Sequence, residues 1–230
     1  MLTREILKEN IIRLKENISL AANVIGKTAE DISIVAAIKN QPVITISLLR
    51  ELGIDKVGEN RVQEMTSRYN PEYGLDWHFI GQLQSNKVKY IINKVSLIHS
   101  LDRLSLAEQI DKESIKNNII TNVLIEVNTA EELSKGGIML NEVEDFVKRV
   151  KDLRGIRIQG LMSVMPMLIN EDKSEYYYHS MKDLYDTISE IEGVEAKYLS
   201  MGMSNDYELA IKCGANMIRP GRILFGERRY

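Results

Sequence analysis

The 230-residue sequence has little cysteine, proline or histidine: one Cys213, four prolines, and His78, His99 and His179. A single thiol cannot close an internal disulfide, so nothing in the chain asks for an oxidising compartment. The three histidines show no HExxH or other ligand spacing, and no metal site is expected. Excess charge of one sign is also lacking. Thirty Lys+Arg against 33 Asp+Glu leave −3, which removes the electrostatic case for a nucleic-acid partner. No uncharged apolar run approaches the roughly 18 residues of a membrane span, and Arg4, Glu5, Lys8 and Glu9 interrupt any signal-peptide core. No Pro/Gly/Ser linker or low-complexity stretch divides the chain. The expectation is one cytoplasmic domain over residues 1–230, without a membrane partner.

What is present is ordinary globular material, 44% hydrophobic and 27% charged, enough to bury a sizeable core. Leu7, Ile11, Leu14, Ile18, Ala21/Ala22 and Ile25 recur at +4 and +3, which predicts an amphipathic helix over 2–25 ended by Gly26. The run Ile34–Ile38 has no polar alternation, as in a strand buried on both faces of a parallel sheet. Pro42 then opens a helix through Leu52. Further strands are expected at Lys56–Glu59, Trp77–Gly81, Leu97–Leu101, Asn122–Val127, Arg157–Val164, Tyr198–Gly202 and Met217–Gly221. Helical segments at 60–70, 84–93, 103–117, 141–152, 174–191 and 205–213 separate them. Eight strands, each but the last followed by a helix, fit an α/β (β/α)8 TIM-type barrel with an extra N-terminal helix. A doubly wound open sheet is the rival. The count of eight and the lack of a Gly-rich fingerprint after the first strand favour the barrel.

In a parallel barrel, sites form at the carboxyl ends of the strands. Lys39 closes the first strand. Burial and cationic neighbours lower a lysine's pKa, and the neutral amine attacks carbonyls to make a Schiff base. A lysine that simply snorkels to solvent is the alternative. Ser200-Met-Gly-Met-Ser204 follows a strand and precedes a helix starting near Asn205, a phosphate-binding pattern. Helix capping by Ser204 or Asn205 explains the same residues. Arg219-Pro-Gly221-Arg222 puts an arginine within an apolar strand and then a glycine that permits close backbone approach. A buried partner for an unseen carboxylate is the other reading of Arg219. These two segments belong to strands seven and eight, where barrels frequently keep a phosphate site. His78 reads as packing or hydrogen bonding, Cys213 as a buried apolar residue, and Tyr176-Tyr177-Tyr178 as half buried. Met162, Met165 and Met167 are candidates for a lip of the site.

Longer motifs extend over nearly the whole chain. They are Val35-Ala-Ala-Ile-Lys39, Gly58-Glu-Asn-Arg-Val-Gln-Glu64, Trp77-His-Phe-Ile-Gly-Gln-Leu-Gln-Ser-Asn-Lys87, His99-Ser-Leu-Asp-Arg103 and Ser134-Lys-Gly-Gly-Ile138. Gly160-Leu-Met-Ser163, Leu199-Ser-Met-Gly-Met-Ser204 and Phe225-Gly-Glu-Arg-Arg-Tyr230 complete them. By these the sequence closely resembles the pyridoxal phosphate homeostasis protein family, single-domain relatives of the alanine racemase N-terminal barrel.

The resemblance implies pyridoxal 5'-phosphate (PLP) held as an aldimine on Lys39. It implies a phosphate held by Ser204 and Ser200 with the backbone of Gly221 and Arg222. It also implies Arg219 at the pyridine nitrogen, and Asn60 near the ring or its hydroxyl. The racemases carry a second, β-rich domain that supplies an opposing base, whereas this sequence ends with the barrel. A fixed cation cannot accept a hydrogen bond from a protonated ring nitrogen, so the ring is a weak electron sink. The expected function is therefore a non-catalytic PLP carrier in intracellular PLP homeostasis, a monomer with PLP-requiring apo-enzymes as recipients. A PLP-dependent racemase or decarboxylase is the alternative, and a Schiff-base aldolase a third. Two positions depart from the family pattern: Arg222 stands for a small hydroxyl residue, and Gln41 for a second lysine.

Overall fold

Val35 and Ala36 are adjacent in sequence and belong to different cores. Successive side chains of a strand point to opposite faces, so this split shows a sheet covered on both sides. The computed structural model describes residues 2–130, 136–165 and 171–226, with Glu171 in backbone only. Its strands are β1 (Ser33–Ala37), β2 (Lys56–Glu59), β3 (Asp76–Phe79), β4 (Leu97–Leu101), β5 (Thr121–Asn128), β6 (Ile138–Met139), β7 (Ile156–Ser163), β8 (Tyr198–Ser200) and β9 (Met217–Ile218). They pair in parallel in the order β1-β2-β3-β4-β5-β7-β8-β9, and β9 pairs back onto β1. The result is a closed eight-stranded parallel barrel. Strand β6 is an extra two-residue pairing on β5.

Inside the barrel lie Val35, Leu97, Leu124, Met162 and Met217, with Ile80 and Tyr198 packed on them. The larger core fills the space between the strands and the helices. Those helices are α1 (Arg4–Val24), α2 (Val43–Leu48), α3 (Val62–Arg68), α4 (Leu104–Lys116), α5 (Val143–Val150), α6 (Glu171–Ser189), α7 (Tyr207–Lys212) and α8 (Arg222–Phe225). On α1 the expected stripe, Leu7, Ile11, Leu14, Ile18, Ala21 and Ala22, is buried, and Thr3 caps the helix by accepting the Ile6 N–H. Each of its fully buried Leu and Ile side chains contributes about 1.5–3 kcal/mol. The helix lies against α7 and α8. Asn10 donates to the Leu224 carbonyl at 2.9 Å, which ties α1 to the last helix.

The structure departs from the expected elements in several places: β3 ends early, at Phe79, and α2 stops at Leu48. Segment 84–93 is a 3-10 turn, Ser85–Tyr90, rather than an α-helix. Strands β8 and β9 are shorter than expected, ending at Ser200 and Ile218, although single backbone bonds continue past them from Met201 N–H to the Met217 carbonyl and from Arg219 N–H to the Gly202 carbonyl. The last strand does have a following helix, α8, beginning at Arg222. Helix α7 begins at Tyr207 with Asp206 at its N-cap, so neither Ser204 nor Asn205 caps it.

Candidate functional site

Residues two apart on a strand share a face, so the inward positions run Val35 to Lys39 on the first strand and Met217 to Arg219 on the last. Lys39 sits two residues past the end of β1 and is half-buried. The β1 ladder continues beyond the strand, since Ala37 N–H donates to the Pro220 carbonyl and Ile38 N–H to the Gly58 carbonyl. Lys39 is thereby held between the strands that carry Arg219 and Asn60. Its Nζ makes no hydrogen bond or ion pair among the described residues. Asn40 follows with φ 62°, a left-handed turn that asparagine tolerates and that ends the strand at the lysine.

Arg219 is buried, 4% exposed, within the barrel. Its Nη1 donates to the Ser200 carbonyl at 2.8 Å and to Ser200 Oγ at 2.7 Å, and its Nη2 donates to the Ser163 carbonyl at 2.7 Å. The guanidinium has five donors. Three are taken, which leaves Nε–H and one Nη2 hydrogen. No carboxylate forms an ion pair with it among the described residues, although Glu126 and Asp206 interact with it through their charges. Burial lowers its pKa to about 10, opposed by Glu126, Tyr178 and Asp206, and it remains a cation at neutral pH.

Ser200 also begins a line of buried polar groups that the sequence did not suggest. Ser200 Oγ is 3.2 Å from His99 Nδ1, His99 Nε2 is 2.9 Å from His78 Nδ1, and His78 Nε2 is 3.3 Å from Asp76 Oδ2. One set of tautomers satisfies every contact. Ser200 accepts from Arg219 and donates to His99, His99 Nε2–H donates to His78, and His78 Nε2–H donates to Asp76. Burial, then the charges of His78 and Arg219, hold His99 well below the ordinary imidazole value, which keeps this ring neutral. His78 is thus a hydrogen-bonding residue, as one of the two sequence readings had it.

Ser204 lies at the barrel mouth. Its Oγ accepts N–H bonds from Gly221 at 3.0 Å and Ile223 at 3.2 Å. It therefore caps α8, whose own N-cap is Gly221, across two different loops. With both lone pairs occupied, the Ser204 hydroxyl proton is left to donate elsewhere. Gly202 makes the loop possible. Its φ is +91°, and a Cβ there would sit 2.6 Å from Ala210 Cβ and 2.9 Å from Tyr207 Cα. At Gly221 the protein itself does not demand glycine, because a Cβ would lie 3.5 Å from Ala37. Arg222, the first residue of α8, is exposed and makes no side-chain hydrogen bond or ion pair among the described residues.

Asn60 is half-buried, and its N–H donates to the buried Glu59 carboxylate at 2.8 Å. Arg68 holds the other oxygen of Glu59 at 2.9 Å. Gly81 fits against this turn, where any Cβ would come 2.2 Å from the Asn60 carbonyl oxygen. Much of the Gly58–Glu64 motif is thus scaffolding for Asn60. Likewise Arg103 donates to the Leu83 carbonyl at 2.8 Å and pairs with Asp102, joining two further motifs. Met162 and Met165 are buried. Met167, and the motif residues Ser134, Lys135 and Glu227–Tyr230, lie outside the described residues.

Sequence reasoning missed Glu126. Burial, then the neighbouring Asp102, raise its pKa to about 7, while Arg219 acts in the opposite direction. The signal was available: Glu126 alternates along β5 with Leu124, which lies inside the barrel, and so shares its inward face.

Residues 10–229 match the family described as alanine racemase, N-terminal domain. A pyridoxal phosphate homeostasis protein of Aquifex aeolicus is 40% identical over 224 residues, covering 96% of this chain and 98% of the relative. An Escherichia coli K12 protein of the same name is 34% identical and covers 97% of each. Among solved structures, PipY of Synechococcus elongatus with PLP bound superposes with TM-score 0.83 at 26% identity, covering 96% of this chain and all of that one. The chain belongs to the pyridoxal phosphate homeostasis protein family, built on the alanine racemase N-terminal barrel.

Proposed function

We propose that the protein binds PLP as a Schiff base on Lys39 and serves as a non-catalytic carrier in intracellular PLP homeostasis. The observation that carries this reading is the set of unspent donors around one barrel mouth. Among the described residues Lys39 Nζ has no partner, Arg219 keeps Nε–H, and Ser204 keeps its hydroxyl proton. Arg222, exposed at the start of α8, adds a guanidinium with no partner among the described residues. An amine at one end, an anion-binding group at the other and a fixed cation on the inner wall suit an aldehyde that carries a phosphate and a ring nitrogen.

PLP supplies an aldehyde that condenses reversibly with amines. This chain's residues do the rest. Lys39 provides the amine. Ser204 O–H, with the backbone of Gly221 and Arg222, receives the phosphate at the start of α8. Ser200 acts through Arg219 rather than on the phosphate, because its hydroxyl is engaged by Arg219 and His99. Asn60 borders the ring. Arg219 meets the pyridine nitrogen as a donor and so holds that nitrogen unprotonated, which weakens the ring as an electron sink. Both relatives are named for homeostasis, which supports carriage over turnover. On this reading residues 1–230 act as one monomeric unit that hands PLP to apo-enzymes.

The test is to incubate purified protein with each amino acid and follow chirality and amine release against free PLP. The carrier reading expects rates no higher than those of free cofactor. Turnover many-fold above it, lost in Lys39→Ala, would establish the racemase or decarboxylase alternative.

A further inference from the structure

On the outer face of the barrel, away from Lys39, Glu175 and His179 of α6 meet Cys213 at the C-terminal end of α7. His179 Nε2 lies 3.8 Å from Cys213 Sγ and 3.7 Å from Glu175 Oε1. One ligand atom from each residue falls within 4.8 Å of the others. We propose that these three side chains form a binding site for one zinc ion, with water in the fourth position.

Three features carry the inference. The first is separation. Tetrahedral zinc, with bonds of about 2.0–2.3 Å, places its N, S and O ligands about 3.4–3.6 Å apart. The separations from His179 Nε2 exceed this by only a few tenths of an ångström, and the Cys213–Glu175 pair lies within 4.8 Å. The second is the donor set. A thiolate and an imidazole with a single carboxylate select zinc over magnesium or calcium, which take oxygen ligands. The third is access and rigidity. Glu175 and His179 are exposed one helical turn apart, so an ion can enter from solvent, while Cys213 is buried and fixed by its backbone bond to Leu209. Their i, i+4 spacing puts both on one face of α6.

Coordination displaces the thiol proton to solvent, and the ion then bridges thiolate, imidazole and carboxylate. Burial, then Glu175, push the free thiol up to about 11, so the proton competes and occupancy should rise with pH. The site also joins two helices near the cofactor loop. Tyr178, next to His179 and buried, donates to Asp206 at 2.7 Å, and Asp206 accepts the Met203 N–H at 2.6 Å. A metal here would clamp α6 to the helix that Ser200–Ser204 enters.

The experiment is titration of the full chain, first dialysed against a chelator, with cobalt(II) and then zinc(II). Cys213 is the only cysteine, so a thiolate-to-cobalt charge-transfer band can arise from no other residue. The proposal expects one cobalt per chain, displacement by zinc, no band in Cys213→Ser, and at least tenfold weaker binding in His179→Ala and in Glu175→Gln. The last two replace exposed side chains and remain decisive if Cys213→Ser fails to fold. Absence of the band in the unaltered chain, or binding undiminished in His179→Ala, overturns it.

Discussion

Nη1 of Arg219 holds both the carbonyl and the hydroxyl oxygen of Ser200, at 2.8 and 2.7 Å. The serine hydroxyl in turn faces His99, so Arg219 is braced by a line of hydrogen-bonding groups leading through His78 to Asp76. Ser200→Ala removes two partners at once, from Arg219 and from His99 Nδ1. Stability should fall by about 1–3 kcal/mol, the cost of leaving buried polar groups unpaired. The visible spectrum should shift as well, because Arg219 loses its orientation. Denaturant unfolding and an absorption scan of the purified protein check both.

Arg219→Glu puts a carboxylate against the Ser200 and Ser163 carbonyls that the guanidinium now satisfies. A stability loss of about 3–5 kcal/mol is expected, as when one partner of a buried charged network is removed. In the fraction that folds, the carboxylate can stabilise a protonated ring nitrogen. A changed absorption band and new slow side reactions with amino acids are therefore predicted. An unchanged spectrum would show that Arg219 does not meet the nitrogen.

Arg222→Thr restores the hydroxyl residue usual in the family while keeping the α8 backbone. Arg222 has no side-chain partner among the described residues, so stability should change by no more than about 0.5 kcal/mol. PLP retention should weaken and become less sensitive to salt, since charge-assisted phosphate contacts are worth roughly 1.5–3 kcal/mol. Dialysis at two ionic strengths measures this, and equal or tighter retention would place the arginine outside the phosphate site.

Buried His99 and half-buried Glu126 tilt stability with pH in opposite senses. The depressed pKa of His99 means that the unfolded chain takes up a proton below about pH 6.5 that the folded chain refuses, so stability falls as pH drops. Glu126, raised from 4.5 to about 7, keeps in the folded state a proton that the unfolded chain releases. Its stabilising contribution is full below pH 4.5 and is lost as pH rises to about 7. Glu126→Gln should remove that alkaline loss and raise stability near pH 8 by on the order of 2–3 kcal/mol. Urea unfolding of both proteins across this range tests it, and parallel profiles would contradict the assignment.

The barrel was legible because apolar runs such as Ile34–Ile38 and the α1 stripe carry their periodicity locally. Lys39 was legible for the same reason, as the polar residue that ends such a run. Helix α8 was not. Its start has no local capping residue, because the cap comes from Ser204 on another loop. The His78–His99 contact was hidden too, since the two residues lie 21 apart and meet only through the parallel pairing of β3 with β4. The Cys213 cluster was passed over for a related reason: spacing among histidines alone cannot show a thiol that arrives 34 residues later.

The most direct test of Lys39 as the PLP-binding amine is borohydride reduction of the purified protein, followed by peptide mass mapping. A yellow protein is expected, with a visible band that disappears on reduction, the pyridoxyl mass on the peptide that contains Lys39, and neither band nor adduct at that site in Lys39→Ala. A full-intensity band in Lys39→Ala, or an adduct located only on other lysines of the unaltered chain, would contradict that role.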